Sequence, residues 1–257
     1  MNRINSLFQE KKKDVLNIYF TAGYPKLNST VAILSALEDA GADIVEIGMP
    51  YSDPIADGPT IQESNQQALE SGMSLKVLFE QLQGIRETVS LPIVLMGYIN
   101  PVIQFGIENF CKKCQEVGVD GLILPDLPMN EYIEEYAETF KKYGLLNTFL
   151  ITPQTSEERI RQIDDTSNGF IYMVSSASIT GGTSGISAEM EVYFNRVNAM
   201  NLKNPTLIGF GIKDNATFSK ACQYANGAII GSQFVREVGK GGNLSESIKA
   251  YVESVRG

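Results

Sequence analysis

The chain has 257 residues, 43% hydrophobic, with 21 Lys and Arg against 30 Asp and Glu. That length suits one domain of about 250 residues or two of about 125, and the net charge of −9 argues against a nucleic-acid surface. Histidine is absent, so Ser-His-Asp and Cys-His catalysis are excluded and acid–base work falls to carboxylates, Lys, Tyr or Cys.

From the N-terminus, MNRINSLFQEKKKDV carries positive charge with no apolar signal region behind it. No run reaches the roughly 18 apolar residues of a membrane span. A mature, soluble, cytoplasmic chain is expected. Short apolar strands are predicted at 16–20, 43–48, 92–96, 121–124, 147–151, 170–174, 206–210 and 227–230. Amphipathic stretches such as STVAILSALEDAG, SLKVLFEQLQGIRETV, NEYIEEYAETFKKYG and SEERIRQIDD lie between them. Strand–helix alternation implies parallel pairing. Eight such units point to an α/β fold, a (β/α)₈ barrel forming a single domain over 1–257, with an open doubly wound sheet as the alternative. No low-complexity linker interrupts it.

In a barrel the chemistry sits where strands end and βα loops begin. The second strand, Asp43-Ile44-Val45-Glu46-Ile47-Gly48, carries a carboxylate where a strand buried on both faces should be apolar. Glu46 either lines a pocket with a raised pKa or is a structural carboxylate bonded to backbone amides. The following loop, MPYSDPIADGPTIQ, contains Asp53 and Asp57. They are turn caps or, for one of them, a second carboxylate facing Glu46. Another long loop spans Ser175 to Ile186 and is a candidate lid.

Glycines mark the ends of the last three strands: Thr180-Gly181-Gly182, Gly209-Phe210-Gly211 and Gly231-Ser232. Barrels often hold phosphate there, against the N-terminus of a short extra helix. Ser232-Gln233-Phe234-Val235-Arg236-Glu237 supplies a candidate for that helix after the eighth strand. Backbone amides would suffice, without Lys or Arg. The alternative is that the glycines serve tight turns only. Cys111 and Cys114 form a C-x-x-C string. Without histidine or a second cysteine pair they read as surface and core positions of one helix, and no metal site is expected.

The segment EIGMPYSDPIADGPTIQ resembles the signature of tryptophan synthase α subunits. The resemblance extends through YFTAGYP, LMGYINPV, LILPDLP, GFIYMVSSASITG, GFGI and IIGSQFV. It implies a TIM-barrel lyase that splits indole-3-glycerol phosphate by retro-aldol cleavage. Glu46 and Asp57 match the family's catalytic carboxylates. Phe20, Tyr98 and Phe210 match the indole pocket, and Tyr172 the tyrosine near the glycerol. Gly181, Gly211, Gly231 and Ser232 match the phosphate site, and Thr180 the lid residue that closes toward Asp57. Some members carry Arg where this chain has Ser176. The resemblance further implies an α₂β₂ complex with a β subunit that holds pyridoxal phosphate (PLP), none being expected in this chain. Asp53, Asn100 and Pro101 would face that partner. Rival readings are another phosphate-binding barrel of the same pathway and a catalytically silent regulatory subunit.

Overall fold

A computed structural model describes residues 1–55, 57–175, 187–209 and 211–257. Its strands are β1 Val15–Thr21, β2 Ile44–Gly48, β3 Ile93–Met96, β4 Gly121–Ile123, β5 Leu146–Thr148, β6 Leu150–Ile151, β7 Ile171–Val174, β8 Thr206–Gly209 and β9 Gly227–Ile230. All neighbours pair in parallel, in the order β5-β4-β3-β2-β1-β9-β8-β7-β6. Only Phe149 separates β5 from β6, so the first and last strands of that order are halves of one. The Tyr172 amide donates to the Phe149 carbonyl at 3.0 Å, carrying the pairing through the break. The fold is therefore the eight-fold TIM barrel expected. The sixth, seventh and eighth predicted strands correspond to β7, β8 and β9.

Each strand is buried on both faces, and the two faces belong to different cores. Val15, Ile44, Val94, Ile123, Leu146, Tyr172, Leu207 and Ile229 pack together inside the barrel. Leu16, Ile18, Phe20, Val45, Ile47 and Leu95 pack outward against the helical layer, which contributes residues such as Leu37, Leu78 and Phe194. This is the period-two alternation of a strand, hidden in the sequence because both sides are apolar.

Helix Arg3–Glu10, not anticipated from the sequence, covers the N-terminal mouth. The Asn2 side chain accepts from the Ile4 amide as its cap. Ile4 is fully buried in the interior cluster, flanked by Leu7 and Phe8, a burial that contributes roughly 2 kcal/mol. Two cations reinforce the seal. Arg3 and Arg86 both reach Asp120, at 3.0 and 2.7 Å. A helix that plugs this end leaves the opposite end of the barrel as the place for a pocket.

The stretch 74–89 breaks into helix Leu75–Gln81 and a 3₁₀ turn Ile85–Glu87. Gly84 between them takes φ +72, a left-handed conformation that stops a helix cheaply only at glycine. Cys111 and Cys114 lie on helix Ile107–Val117 and are both fully buried. The expected split into a surface and a core position is corrected: three residues apart on a helix, they share its inner face. Burial pushes the Cys111 thiol up to about 12 and Cys114 well above its ordinary value, so neither is a ready thiolate.

Candidate active site

The site grows from the interior face of β2. Ile44 points into the barrel and Val45 outward, so alternation sends Glu46 inward as well. Its side chain is fully buried. Asn17 Nδ2, on the adjacent β1 and equally buried, donates to Glu46 Oε1 at 2.5 Å. Glu46 Oε2 meets no hydrogen-bond partner among the described residues. Loss of water raises the carboxyl pKa from its ordinary 4.5 to about 8, and the Asn17 bond opposes that rise.

Asp57 sits in the loop after β2, just before helix Pro59–Glu70. Tyr98 donates its hydroxyl hydrogen to Asp57 Oδ2 at 3.1 Å and accepts from the Ile55 amide at 3.0 Å. Burial raises the Asp57 pKa while the Tyr98 bond lowers it. Tyr98 thus clamps the loop that carries Asp57 onto the end of β3.

Two glycines make room for tyrosines. A Cβ on Gly48 would lie 2.1 Å from the Tyr19 hydroxyl oxygen, and one on Gly209 would lie 2.1 Å from that of Tyr172. Both strand ends must stay bare for the phenols to reach over them. Burial keeps both phenols protonated, raising their pKa values, and the nearby carboxylates add to the effect.

A cavity of about 190 Å³ joins these groups. Glu46, Asp57, Tyr19 and Tyr172 line it together with Ile61, Met96 and Ile229. Its other lining comes from Gly211, Gly231, Ser232, Gln233, Lys213 and Arg236. Ser232 opens helix Ser232–Gly239, whose first turn has no side-chain cap from Gly231, so its free amides are available to an anion. Gly211 takes φ +77 with open space around it. The carboxylates and the helix terminus therefore border one space.

Of the residues singled out in the sequence, Glu46, Asp57, Tyr172, Gly211, Gly231 and Ser232 border this cavity. Tyr98 stands behind Asp57. Phe20 does not take part: it points outward into the shell beneath the helices. The expectation that Phe20 lines the pocket is corrected to its neighbour Tyr19, because Tyr19 is paired with Glu46 across β1 and β2 and shares its inward face. Thr180, Gly181 and Phe210, and Ser176 with the rest of the expected lid beyond Ser175, lie outside the described residues.

Lys213 and Arg236 were missed as well. No bond partner meets the Lys213 ammonium or the Arg236 guanidinium among the described residues, whereas every other arginine has an acceptor. Asp53 and Asn100 are exposed and Pro101 is half-buried. Asn100 donates to the Tyr51 hydroxyl at 3.2 Å, and Tyr51 packs on Tyr98 with ring centroids 5.3 Å apart. Ile55 and Ile103 are exposed on the same two segments.

Among the described residues no group of His, Cys, Asp and Glu could hold a metal ion, and no helix is long and apolar enough to cross a membrane.

A cavity bordered by a buried carboxylate, a half-buried one and a bare helix terminus, on a TIM barrel, can be compared with known proteins. The chain is 60% identical over 255 residues to the tryptophan synthase alpha chain of Flavobacterium psychrophilum, covering 99% of this chain and 100% of that one. It is 57% identical to that of Flavobacterium johnsoniae, with full coverage of both. The solved alpha subunit from Legionella pneumophila superposes with a TM-score of 0.89 at 31% identity, covering 100% and 97% of the two chains. A chain of the tryptophan synthase complex from Pyrococcus furiosus superposes with a TM-score of 0.86 at 36% identity, covering 95% and 98%. Residues 6–256 match the sequence model of the tryptophan synthase alpha chain. With the barrel, the cavity and a match over nearly its whole length in agreement, the chain belongs to the tryptophan synthase alpha chain family.

Proposed function

We propose that this chain cleaves indole-3-glycerol phosphate to indole and glyceraldehyde 3-phosphate, with Glu46 and Asp57 as its catalytic residues. The observation that carries the reading is the single cavity bordered by both carboxylates and by the N-terminus of helix Ser232–Gly239. Glu46, with its pKa near 8, is mostly the neutral acid at pH 7. It donates its proton to indole C3. The C3–C3′ bond then breaks, its electron pair passing to the protonated ring, and the resulting carboxylate takes the proton of the C3′ hydroxyl as the aldehyde forms. Glu46 ends the cycle as it began. Asp57 accepts the indole N–H and stabilises the positive charge that develops on that nitrogen. Tyr172 contacts the glycerol, and Tyr98 belongs with the indole end. Gly211, Gly231 and Ser232 offer the phosphate close backbone approach, as Gly181 would from its loop. Thr180 and Phe210 keep the lid and indole-pocket roles that the family resemblance implies.

Lys213 and Arg236 add side-chain charge at the phosphate end, which the sequence reading did not require. Replacing both with Met is expected to raise KM about fivefold with kcat nearly kept, since two partly solvated charge contacts contribute on the order of 1 kcal/mol together. Steady-state kinetics at two salt concentrations checks this. An unchanged KM would leave phosphate binding to the backbone alone.

In this reading the partner is a PLP-holding β subunit in an α₂β₂ complex, met by Asp53, Asn100 and Pro101 beside exposed Ile55 and Ile103. The contact Asn100–Tyr51–Tyr98–Asp57 gives that surface a short physical route to a catalytic carboxylate. The enzyme would work in the cytoplasm as one domain, with no cofactor of its own. Indole release from indole-3-glycerol phosphate, measured with and without an added β subunit, tests the proposal. Slow release that accelerates with the partner is expected. No release in either case, with the phosphate ligand still bound, would leave a regulatory binding subunit.

A further inference from the structure

Beside Glu46 lies a buried polar group that this mechanism does not use. Asn17 sits inside the barrel on β1, fully buried, with its Nδ2 on Glu46 Oε1 at 2.5 Å. An asparagine in the middle of a buried strand costs stability unless its amide is paired. Its own Oδ1 has no partner among the described residues, so the Nδ2 bond to Glu46 is the interaction the structure gives this side chain. Glu46 is equally asymmetric: among the described residues Oε1 is bonded and Oε2 is not.

We infer that Asn17 is a positioning residue that places the acid proton of Glu46 on Oε2, making Oε2 the oxygen that exchanges protons with the substrate. A carbonyl oxygen accepts an N–H more strongly than the hydroxyl oxygen of an acid does, so the bond from Asn17 favours Oε1 as the carbonyl of the neutral acid. The neutral acid therefore favours its proton on Oε2. When that proton leaves for the substrate, the same N–H remains to stabilise the carboxylate through Oε1. One donor serves both protonation states without moving, which suits a group that gives and regains a proton in each turnover. The inference rests on the proposed cleavage only for the identity of the proton acceptor.

The other titratable groups that line the cavity with Glu46 are Tyr19 from β1, Tyr172 from β7, Asp57 from the loop after β2, Lys213 after β8 and Arg236 on helix Ser232–Gly239. Both phenols stay protonated through the neutral range. They do not change charge where Glu46 titrates, and the remaining groups are the same in wild type and variants, so a shift seen on replacing Asn17 belongs to the lost amide.

The test uses Asn17→Val, which suits a strand interior, and Asn17→Ser, which stays polar but is too short to keep the contact. The Glu46 carboxyl is followed by ¹³C NMR in the whole chain as pH is varied, without substrate. In both variants its pKa is expected to rise by about one unit, the size of a lost bond to a charged group. In turnover, kcat should fall roughly ten- to a hundredfold with KM nearly unchanged, a split that general loosening of the fold would not give. A Glu46 titration identical to wild type in both folded variants would overturn the inference. If the wild-type chain itself released no indole, the NMR shift would still uphold the placement by Asn17, while the proposed function would fall.

Discussion

Glu46→Gln is expected to abolish indole release and, at alkaline pH, to make the protein harder to melt. Both outcomes follow from one fact: a carboxyl is held fully buried with a single donor among the described residues. The neutral amide cannot donate a proton to indole C3 or take one from the glycerol hydroxyl. Loss of general acid–base catalysis costs about 10²- to 10⁴-fold, and here one group performs both transfers, so the upper end is expected. Stability moves the other way. The folded-state pKa is raised from 4.5 to about 8, so between those values the folded chain holds a proton that the unfolded chain has lost. Stability therefore falls as pH rises through that window, by up to about 5 kcal/mol. Glutamine has no charge to desolvate and escapes the loss, and its carbonyl still accepts from Asn17. Thermal melts at pH 5 and pH 9 should show little difference from wild type at the first and a gain of several degrees at the second. Retained cleavage would remove Glu46 from the mechanism, and equal melting at both pH values would mean that its carboxylate is solvated.

The sequence made Glu46 visible because a charge in a strand of Ile and Val has nowhere cheap to go. It made the eight strands visible through alternation with helices. What it could not supply was the face of β1. Val15–Thr21 is buried at every position, so the period of two leaves no trace in hydrophobicity, and Tyr19 and Phe20 look equally fit for a pocket. The choice depends on register: Tyr19 pairs with Glu46 and Phe20 with Ile47, and register is a property of two strands, not of one. Asn17 was hidden for the same reason, its purpose residing on β2.

The N-terminal helix left faint marks, an Asn cap and apolar residues at Ile4, Leu7 and Phe8, but its segment is short and strongly charged. Lys213 and Arg236 were overlooked because cations look like ordinary surface residues until the fold places them at a cavity edge. The acidic net charge encouraged the view that none was needed. A global charge says little about a local one.

Asp57→Asn separates the second carboxylate's charge from its shape. Asparagine keeps an oxygen for the Tyr98 hydroxyl, which bonds Asp57 Oδ2 at 3.1 Å, so the loop should stay in place. What disappears is the negative charge opposite the indole nitrogen as the ring becomes cationic. Removing one group that stabilises developing charge costs about 10²- to 10³-fold in kcat, and that loss is expected with little change in KM. A near wild-type rate would make Asp57 a turn residue of the loop before helix Pro59–Glu70. A substrate analogue sharpens the test. With N1-methyl-indole-3-glycerol phosphate there is no N–H for Asp57 to accept, so the wild-type enzyme should slow, while the Asp57→Asn variant should lose little more. If the two losses instead multiply, Asp57 acts somewhere other than the indole nitrogen. The charge would then bear on the neighbouring carboxyl, whose proton would be harder to release with Asp57 ionised beside it, and the pH profile of kcat would shift with the substitution. Under the mechanism proposed, the profile keeps its Glu46 limb and only its height falls.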